Sequence, residues 1–289
     1  MENMPINLHF FSSTAKGRIN YTTLLDYFQE LPNFDIYYDN EVCDIIYTDN
    51  DFGFQYEFKI TKGSQINDIY KLNPAYLNIN FMLCLPILIP AYAIREILNF
   101  TQKLCKQFDL SVYHRSFNDV KAFDIPVIYS LFSSEQKAYL EENPNNNKVF
   151  VESDKLTAIC KYERTIDNLV ECFHNEVIVN HSKPIINYNT NEFGICTLWN
   201  AGIATASAPY FDIVLIKDEE GNEFKVRRRD FMKYMDKYLF KIDSYLPDLY
   251  VLKKKQAKSC KGVVSKLKKF AITDDDFTDL RFADLIDKY

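Results

Sequence analysis

The sequence predicts an α+β protein, and three observations point to that class. Several short segments alternate apolar and polar residues, as half-buried strands do. Other segments repeat their apolar residues at helical spacing. Asp39-Asn40 and Asp49-Asn50 separate consecutive strand-like segments, and such pairs favour the tight turns of antiparallel hairpins. The 289 residues are 47% hydrophobic and 26% charged, which excludes general disorder and suits two domains or one large one.

Residues 1–123 are predicted to form the first domain. Its first strand leads into a helix that starts at Asn20 and ends at Pro32, since proline cannot continue a helix. A second helix begins near Pro90, because proline is tolerated in a first helical turn. The predicted strands span residues 6–11, 34–38, 42–48, 52–60, 77–85 and 110–114.

This order of elements resembles that of a ferredoxin-like or related open α/β sandwich. The resemblance implies a mostly antiparallel sheet with two helices on one face. It concerns the fold alone and implies no activity, because many functions share such folds.

Residues 124–270 are predicted to form a second domain, with helices and a small antiparallel sheet, and residues 271–289 an acidic tail. A helix is expected near 136–142, and a longer one runs from Ser153, as its N-cap, to about residue 173. A further helix follows Arg229. The predicted strands span 193–203, 210–217 and 223–227, and residues 253–270 are helical and rich in lysine.

The glycine content excludes several enzyme classes. The chain has seven glycines, and no two of them are closer than eight residues. Phosphate-binding loops need closely spaced glycines, because a Cβ atom would keep the backbone N–H groups from the phosphate oxygens. Rossmann dehydrogenases, P-loop NTPases, kinases with a standard glycine-rich loop and typical α/β-hydrolases are therefore excluded, and no cofactor is predicted.

The sequence predicts a cytoplasmic protein without a membrane segment. The seven cysteines are odd in number, scattered and never spaced as C-x-x-C, which favours reduced thiols. The most apolar window, 77–94, is interrupted by Pro86 and Pro90 and is too short to span a bilayer. The abundance of Phe, Tyr, Ile, Asn and Lys favours a low-GC bacterium or its phage.

A basic segment is the first candidate for function. Residues 222–270 hold fifteen Lys or Arg and only five Asp or Glu, and residues 250–270 hold eight lysines and no acid. Such a segment suits nucleic acid or an acidic protein partner. Alternatively, its lysines pair with the protein's own acids, such as the aspartates 274–276. The candidate binding residues are Arg227, Arg228, Arg229, Lys253, Lys254, Lys255, Lys258 and Lys261.

A second candidate consists of Asp44 on one predicted strand and Glu57-Phe58-Lys59 on the next. Because side chains alternate along a strand, Glu57 and Lys59 share a face. An acid followed by E-x-K on the next strand resembles the core of the PD-(D/E)xK nucleases, which implies Mg²⁺ held by the two carboxylates and a water positioned by Lys59. The sequence departs from that pattern at Cys43, where the family has proline, and in an additional strand before the second helix. The alternative is a cross-strand ion pair on an exposed face.

No metal site is predicted, because the sequence lacks paired C-x-x-C motifs and H-E-x-x-H. His9 and His114 lie far from the other two histidines, His174 and His181, and each of the four is more typical of a packed or surface residue than of a catalytic base. Aromatic residues make up 15% of the chain, and many alternate along strands. They indicate either a stacking or partner surface or ordinary half-buried strands.

These patterns lead to two expectations for function. The first is a non-catalytic cytoplasmic binding or assembly protein, with a protein partner or self-assembly preferred and nucleic acid as a further possibility through residues 250–270. The alternative is a Mg²⁺-dependent nuclease that uses Asp44, Glu57 and Lys59.

Overall fold

A computed structural model describes residues 5–12, 19–78, 80–243, 246–273 and 277–288. The chain divides into two compact units, Met1–Asn147 and Lys148–Tyr289. Both units combine helices with sheets, so the predicted α+β class is confirmed.

The first unit is built on a seven-stranded sheet in which every neighbouring pair is antiparallel. The strands are β1 (Ile6–Ser12), β2 (Phe34–Tyr38), β3 (Val42–Thr48), β4 (Gln55–Thr61), β5 (Phe81–Leu85), β6 (Leu110–Tyr113) and β7 (Lys121–Ala122). The helices are α1 (Tyr21–Gln29), α2 (Ala91–Gln107) and α3 (Ile125–Glu142). The order across the sheet is β2-β3-β4-β5-β1-β6-β7.

The centre of this sheet contains one split β-α-β unit. Strand β1 lies between β5 and β6 and is antiparallel to both, so β5 and β6 run in the same direction. Helix α2 connects these two strands, which makes a split β-α-β unit. Strands β3 and β4 extend the sheet between β5 and β2 as a meander.

Short polar side chains fix the local turns of the first unit. Asn20 caps α1, and its side chain accepts the backbone N–H of Thr23 at 3.2 Å. The Asp39 carboxylate accepts the N–H groups of Glu41 and Val42 at 2.6 Å each, which closes the turn between β2 and β3. These two bonds hold the pKa of Asp39 below its usual value.

The sheet has an aromatic face and a polar face. Phe58 of β4 is buried on the side that α1 and α2 cover, and its ring centroid lies 5.1 Å from that of Phe28 and 6.1 Å from that of Phe100. The strand aromatics therefore form a core rather than an open stacking surface. On the edge strand β2, by contrast, Tyr37 and Tyr38 are 58% and 60% exposed.

Helix α3 belongs to the first unit, although the sequence analysis assigned residues 124–147 to the second domain. It begins at Ile125, earlier than predicted, because the Asp124 side chain caps it by accepting the N–H of Val127 at 3.2 Å. Ser133, which precedes the helix predicted near 136–142, lies inside α3, where its hydroxyl donates to the carbonyl of Tyr129 at 2.9 Å.

The described residues of the second unit form three sheets, with strand orders β14-β13-β11-β10-β17, β15-β16-β12-β9 and β18-β8. Its strands are β8 (Val149–Glu152), β9 (Ile178–Val179), β10 (Lys183–Asn187), β11 (Glu192–Asn200), β12 (Thr205–Ala206), β13 (Ile213–Lys217), β14 (Glu223–Arg227), β15 (Phe240–Lys241), β16 (Tyr250–Leu252), β17 (Phe277–Asp279) and β18 (Leu285–Lys288). Its helices are α4 (Ser153–Glu163), α5 (Ile166–Cys172), α6 (Arg228–Met235), α7 (Lys254–Ser259) and α8 (Val264–Leu267).

The sheets of the second unit are larger and more mixed than predicted. Strands β11 and β13 pair in parallel, and β10 and β17 extend the same sheet. The segment predicted as an acidic tail contributes two strands, with Leu285 and Ile286 fully buried in β18 beside β8. Apolar side chains within the acidic sequence explain this burial. The aspartates 274–276 lie outside the described residues.

The long helix predicted from Ser153 consists of two helices, α4 and α5. Thr165 stands between them, and its hydroxyl donates to the carbonyl oxygens of Lys161 and Tyr162. Ser153 does not cap α4. It is the first helical residue, and its hydroxyl is 2.6 Å from the Asp287 carboxylate of β18.

Replacing Gln136 with alanine is expected to destabilise the first unit. Gln136 is fully buried in α3, and its Nε2 donates to the carbonyl oxygens of Ile87 at 2.7 Å and Ile89 at 3.0 Å. Gln136→Ala leaves both acceptors unpaired and should lower the free energy of unfolding by about 2 kcal/mol. Urea denaturation followed by far-UV circular dichroism measures this change. The exposed neighbour provides the control: Lys137→Ala should stay within about 0.5 kcal/mol of the wild type, and equal effects of both variants would contradict the packing described.

Candidate functional site

The polar face of the first unit carries a row of aligned side chains. The strand register places Asp44 beside Lys59, Lys59 beside Met82, and Met82 beside His9. Neighbouring strands lie about 4.8 Å apart, so the row crosses four strands on one face. The row therefore joins His9, near the start of the chain, to residues of the consecutive strands β3, β4 and β5.

The three predicted nuclease residues converge in this row. Lys59 Nζ lies 2.9 Å from Glu57 Oε1 and 3.5 Å from Asp44 Oδ1, and all three side chains are about one third exposed. Burial disfavours the charged form of Lys59, but the hydrogen bond and negative charge of Glu57 outweigh it and raise the Lys59 pKa.

Asp44 carries unused acceptor capacity. Its Oδ1 atom is buried and accepts no hydrogen bond from the described residues, although the Lys59 ammonium is within ion-pair distance. A buried carboxylate oxygen without a donor is costly unless a cation or water compensates it. Within the described ranges, no three His, Cys, Asp or Glu side chains form a group that could hold a metal ion. Mg²⁺ is commonly held by one or two carboxylates with waters and substrate phosphates, so Asp44 and Glu57 fit it.

A polar cleft of about 540 Å³ opens in the first unit, and it shares His9 with the row of aligned side chains. Strand β1 contributes Asn7 and His9 to its wall, and α3 contributes Glu135 and Glu142. The cleft is also lined by Pro5, Ile6, Gln65, Ile66, Asn67, Ile87, Tyr113, His114, Arg115, Ala138 and Tyr139. Asp44, Glu57 and Lys59 are not among its lining residues.

The two histidines of the cleft are neutral at pH 7. Burial lowers the pKa of His9 to about 4, a hydrogen bond with Asn80 partly offsets this, and His114 lowers it further. Burial also lowers the pKa of His114. The backbone N–H of Ser116 donates to Nδ1 of His114 at 3.2 Å, which places the proton of the neutral ring on Nε2.

The sequence analysis did not foresee that these histidines are neighbours. His9 pairs with Tyr113 in the register of β1 and β6, and His114 follows immediately. The two residues are more than a hundred positions apart along the chain, so no local motif connects them. Only the pairing of β1 with β6 would have revealed the cleft.

Two of the three predicted arginines are engaged in strong ion pairs within the second unit. Arg227 forms two hydrogen bonds with Glu192, at 2.6 and 3.2 Å. Arg228 forms two with Asp248, at 2.7 and 2.8 Å, and stacks 4.7 Å from the Phe211 ring centroid. Burial disfavours the charge of Asp248, but its hydrogen bonds from Arg228 and Tyr210 hold the Asp248 pKa below its usual value. Arg227 and Arg228 are therefore both occupied by acidic partners within the second unit.

Arg229 is the most exposed of the three arginines. It pairs with its neighbour Asp230 at 3.4 Å. An exposed pair of this length contributes little to stability, because water screens it.

The lysines, by contrast, form an open surface. All eight lysines between residues 253 and 269 are exposed, and we call them together the lysine surface. Lys261 pairs with Glu219, and Lys253 lies 4.2 Å from the Phe240 ring centroid. Lys254, Lys255 and Lys258 of α7 make no ion pair with any described residue. The lysine surface consists of Lys253, Lys254, Lys255, Lys258, Lys261, Lys266, Lys268 and Lys269.

Comparison with protein-family models, with curated proteins and with solved structures found no match to this chain. In the described part of the chain, no helix combines the length and the apolar character that crossing a bilayer requires. All seven cysteines are free thiols, and six of them are buried or partly buried.

The low pKa of His9 predicts a specific pH dependence of stability. Between pH 6.5 and about 4, the unfolded chain binds a proton at His9 that the folded protein does not, so stability falls as the pH is lowered. This difference should remove about 2 kcal/mol between pH 7 and pH 5. His9→Gln abolishes it, so the variant should lose less stability over this interval. Urea denaturation at both pH values measures the difference, and equal losses for wild type and variant would show that His9 is not held neutral.

Proposed function

We propose that this chain is a non-catalytic binding protein whose lysine surface docks an anionic macromolecule. The observation that carries the proposal is the contrast within one basic region of the second unit. Arg227 and Arg228 form ion pairs within the unit. Lys254, Lys255 and Lys258 of α7, by contrast, are exposed and form no ion pair with any described residue. Unpaired, exposed cations attract polyanions at long range.

The phosphate backbone of nucleic acid is the partner that this surface suits best. Lysine is a compact point charge that binds phosphate without the planar, bidentate fork of arginine. Residues 253–269 contain no aromatic side chain on which a base could stack. We therefore expect binding that ignores base sequence and depends steeply on salt.

The test is fluorescence anisotropy of the full chain with a labelled DNA duplex of mixed sequence. The variant Lys254→Glu/Lys255→Glu/Lys258→Glu should bind the duplex about tenfold or more weakly. Its slope of log affinity against log salt should be flatter by about 0.9 for each phosphate that the variant no longer neutralises. The matched control is Lys103→Glu/Lys106→Glu/Lys137→Glu, which reverses three exposed lysines of the first unit and should bind as the wild type does.

A parallel titration with poly-L-glutamate identifies the class of partner. If the wild type binds poly-L-glutamate and not the duplex, and the same triple variant loses that binding, the partner is an acidic protein and not nucleic acid. The binding function of the lysine surface would then still hold. Binding to neither probe, or equal weakening in the control variant, would overturn the proposal.

A Mg²⁺-dependent nuclease is the second candidate, and the convergence of Asp44, Glu57 and Lys59 favours it. Asp44, whose Oδ1 accepts no hydrogen bond from the described residues and faces Lys59 Nζ at 3.5 Å, and Glu57 are the carboxylates that would hold the ion. A bound Mg²⁺ would supply Lewis-acid activation of a phosphodiester and of a water. Lys59, held by both carboxylates, would orient that water.

Cleavage of plasmid DNA in the presence of Mg²⁺ tests this candidate. If it holds, Glu57→Gln and Asp44→Asn each lower the cleavage rate by about a hundredfold or more. Glu41→Gln is the control, because Glu41 is an exposed carboxylate that pairs with Lys62 on the neighbouring strand end. An inactive wild type, or activity that all three variants retain, would eliminate the nuclease.

A further inference from the structure

The cleft of the first unit has the size and the construction of a small-ligand site. Its volume of about 540 Å³ lies within the range of roughly 300–1,000 Å³ that such sites occupy. Helix α3 presents one face to it, because Glu135, Ala138, Tyr139 and Glu142 recur at the spacing of successive helical turns. The opposite wall is made by strand β1 and by the end of β6.

The charges of this cleft favour a cation. Glu142 makes no ion pair with any described residue, and Glu135 is 3.3 Å from the guanidinium of Arg115, which is 77% exposed. His9 and His114 add no positive charge, because burial keeps both rings neutral at pH 7. Glu142 is also the last residue of α3, where the helix dipole contributes partial negative charge.

The β1 wall of the cleft has hydrogen-bonding capacity that the described residues leave unused. Asn7 Oδ1 and His9 Nδ1 are both buried and have no hydrogen-bond partner among the described residues. Both residues line the cleft. An amide oxygen can only accept, so the wall calls for a donor. Buried acceptors without donors are costly, which a bound donor or water relieves.

We propose that this cleft binds a small organic amine. One ammonium group of the ligand pairs with Glu142. The other N–H groups of the ligand, including those of a second amino group, donate to Asn7 Oδ1 and His9 Nδ1 of the cleft wall. A small anion is disfavoured, because the one arginine of the lining is already shared with Glu135 and both carboxylates oppose it. This site is in the first unit and is independent of the function proposed for the lysine surface.

Isothermal titration calorimetry of the full chain at pH 7 with putrescine, a four-carbon diamine, tests the proposal. The wild type is expected to bind putrescine more tightly than n-butylamine, and Glu142→Gln to weaken putrescine binding by about tenfold or more. The matched control is Glu141→Gln, because Glu141 is the preceding exposed carboxylate of α3 and does not line the cleft. It should bind putrescine as the wild type does.

Inorganic phosphate and free glutamate serve as anionic probes in the same assay. The proposal is overturned if Glu142→Gln and Glu141→Gln bind putrescine alike, if the wild type binds none of the amines, or if it prefers an anion and Arg115→Gln abolishes that binding. Because residue 142 is exposed at a helix end, we expect both glutamine variants to fold. A perturbation of His9 or Asn7 side-chain NMR signals on adding putrescine, absent in Glu142→Gln, gives an independent readout.

Discussion

The alternation of side chains along antiparallel strands is the constraint on which the first unit depends. In β4, Phe58 enters the aromatic core and the adjacent Lys59 faces the opposite side. A shift of one residue in the register would move Lys59 into that core and Phe58 onto the polar face. The cost of burying an unpaired charge therefore holds the register, and the register in turn aligns Asp44, Lys59 and His9 on one face.

The cost of burying an unpaired charge also separates the charged side chains that form ion pairs within the fold from those that remain exposed and unpaired. In the second unit, arginine provides the bidentate pairs that hold strand ends and loops together, as Arg228 does with Asp248. Lysine, a strongly hydrated point charge, remains at the surface. In the first unit, Glu142 remains exposed at the end of α3, while Glu135 pairs with Arg115. The charged groups that form no ion pair with described residues are the ones that we propose for binding. They are lysines for a polyanion in the second unit and Glu142 for an amine in the first.

Local signals were sufficient for much of the fold. Strands β2, β3 and β14 have the bounds that the sequence predicts, and α1 begins directly after Asn20, where the sequence predicts its start, because hydrophobic alternation, turn residues and capping act over a few positions. The convergence of Asp44 with Glu57 and Lys59 could also be predicted, since two adjacent strands carry them.

Long-range contacts account for the rest. The neighbourhood of His9 and His114 depends on β1 entering between β5 and β6, and the parallel pairing of β11 with β13 has no local signature. Ser153 forms a hydrogen bond with Asp287, near the far end of the chain, instead of capping its helix.

The cross-strand register of β1, measured by NMR, tests the described arrangement of the first unit most directly. Cross-strand NOEs are predicted between His9 and Met82 and between His9 and Tyr113. NOEs between Leu8 and Met82 would instead show a register shifted by one residue. Phe10 of β1 would then lie on the polar face, which would contradict the structure described.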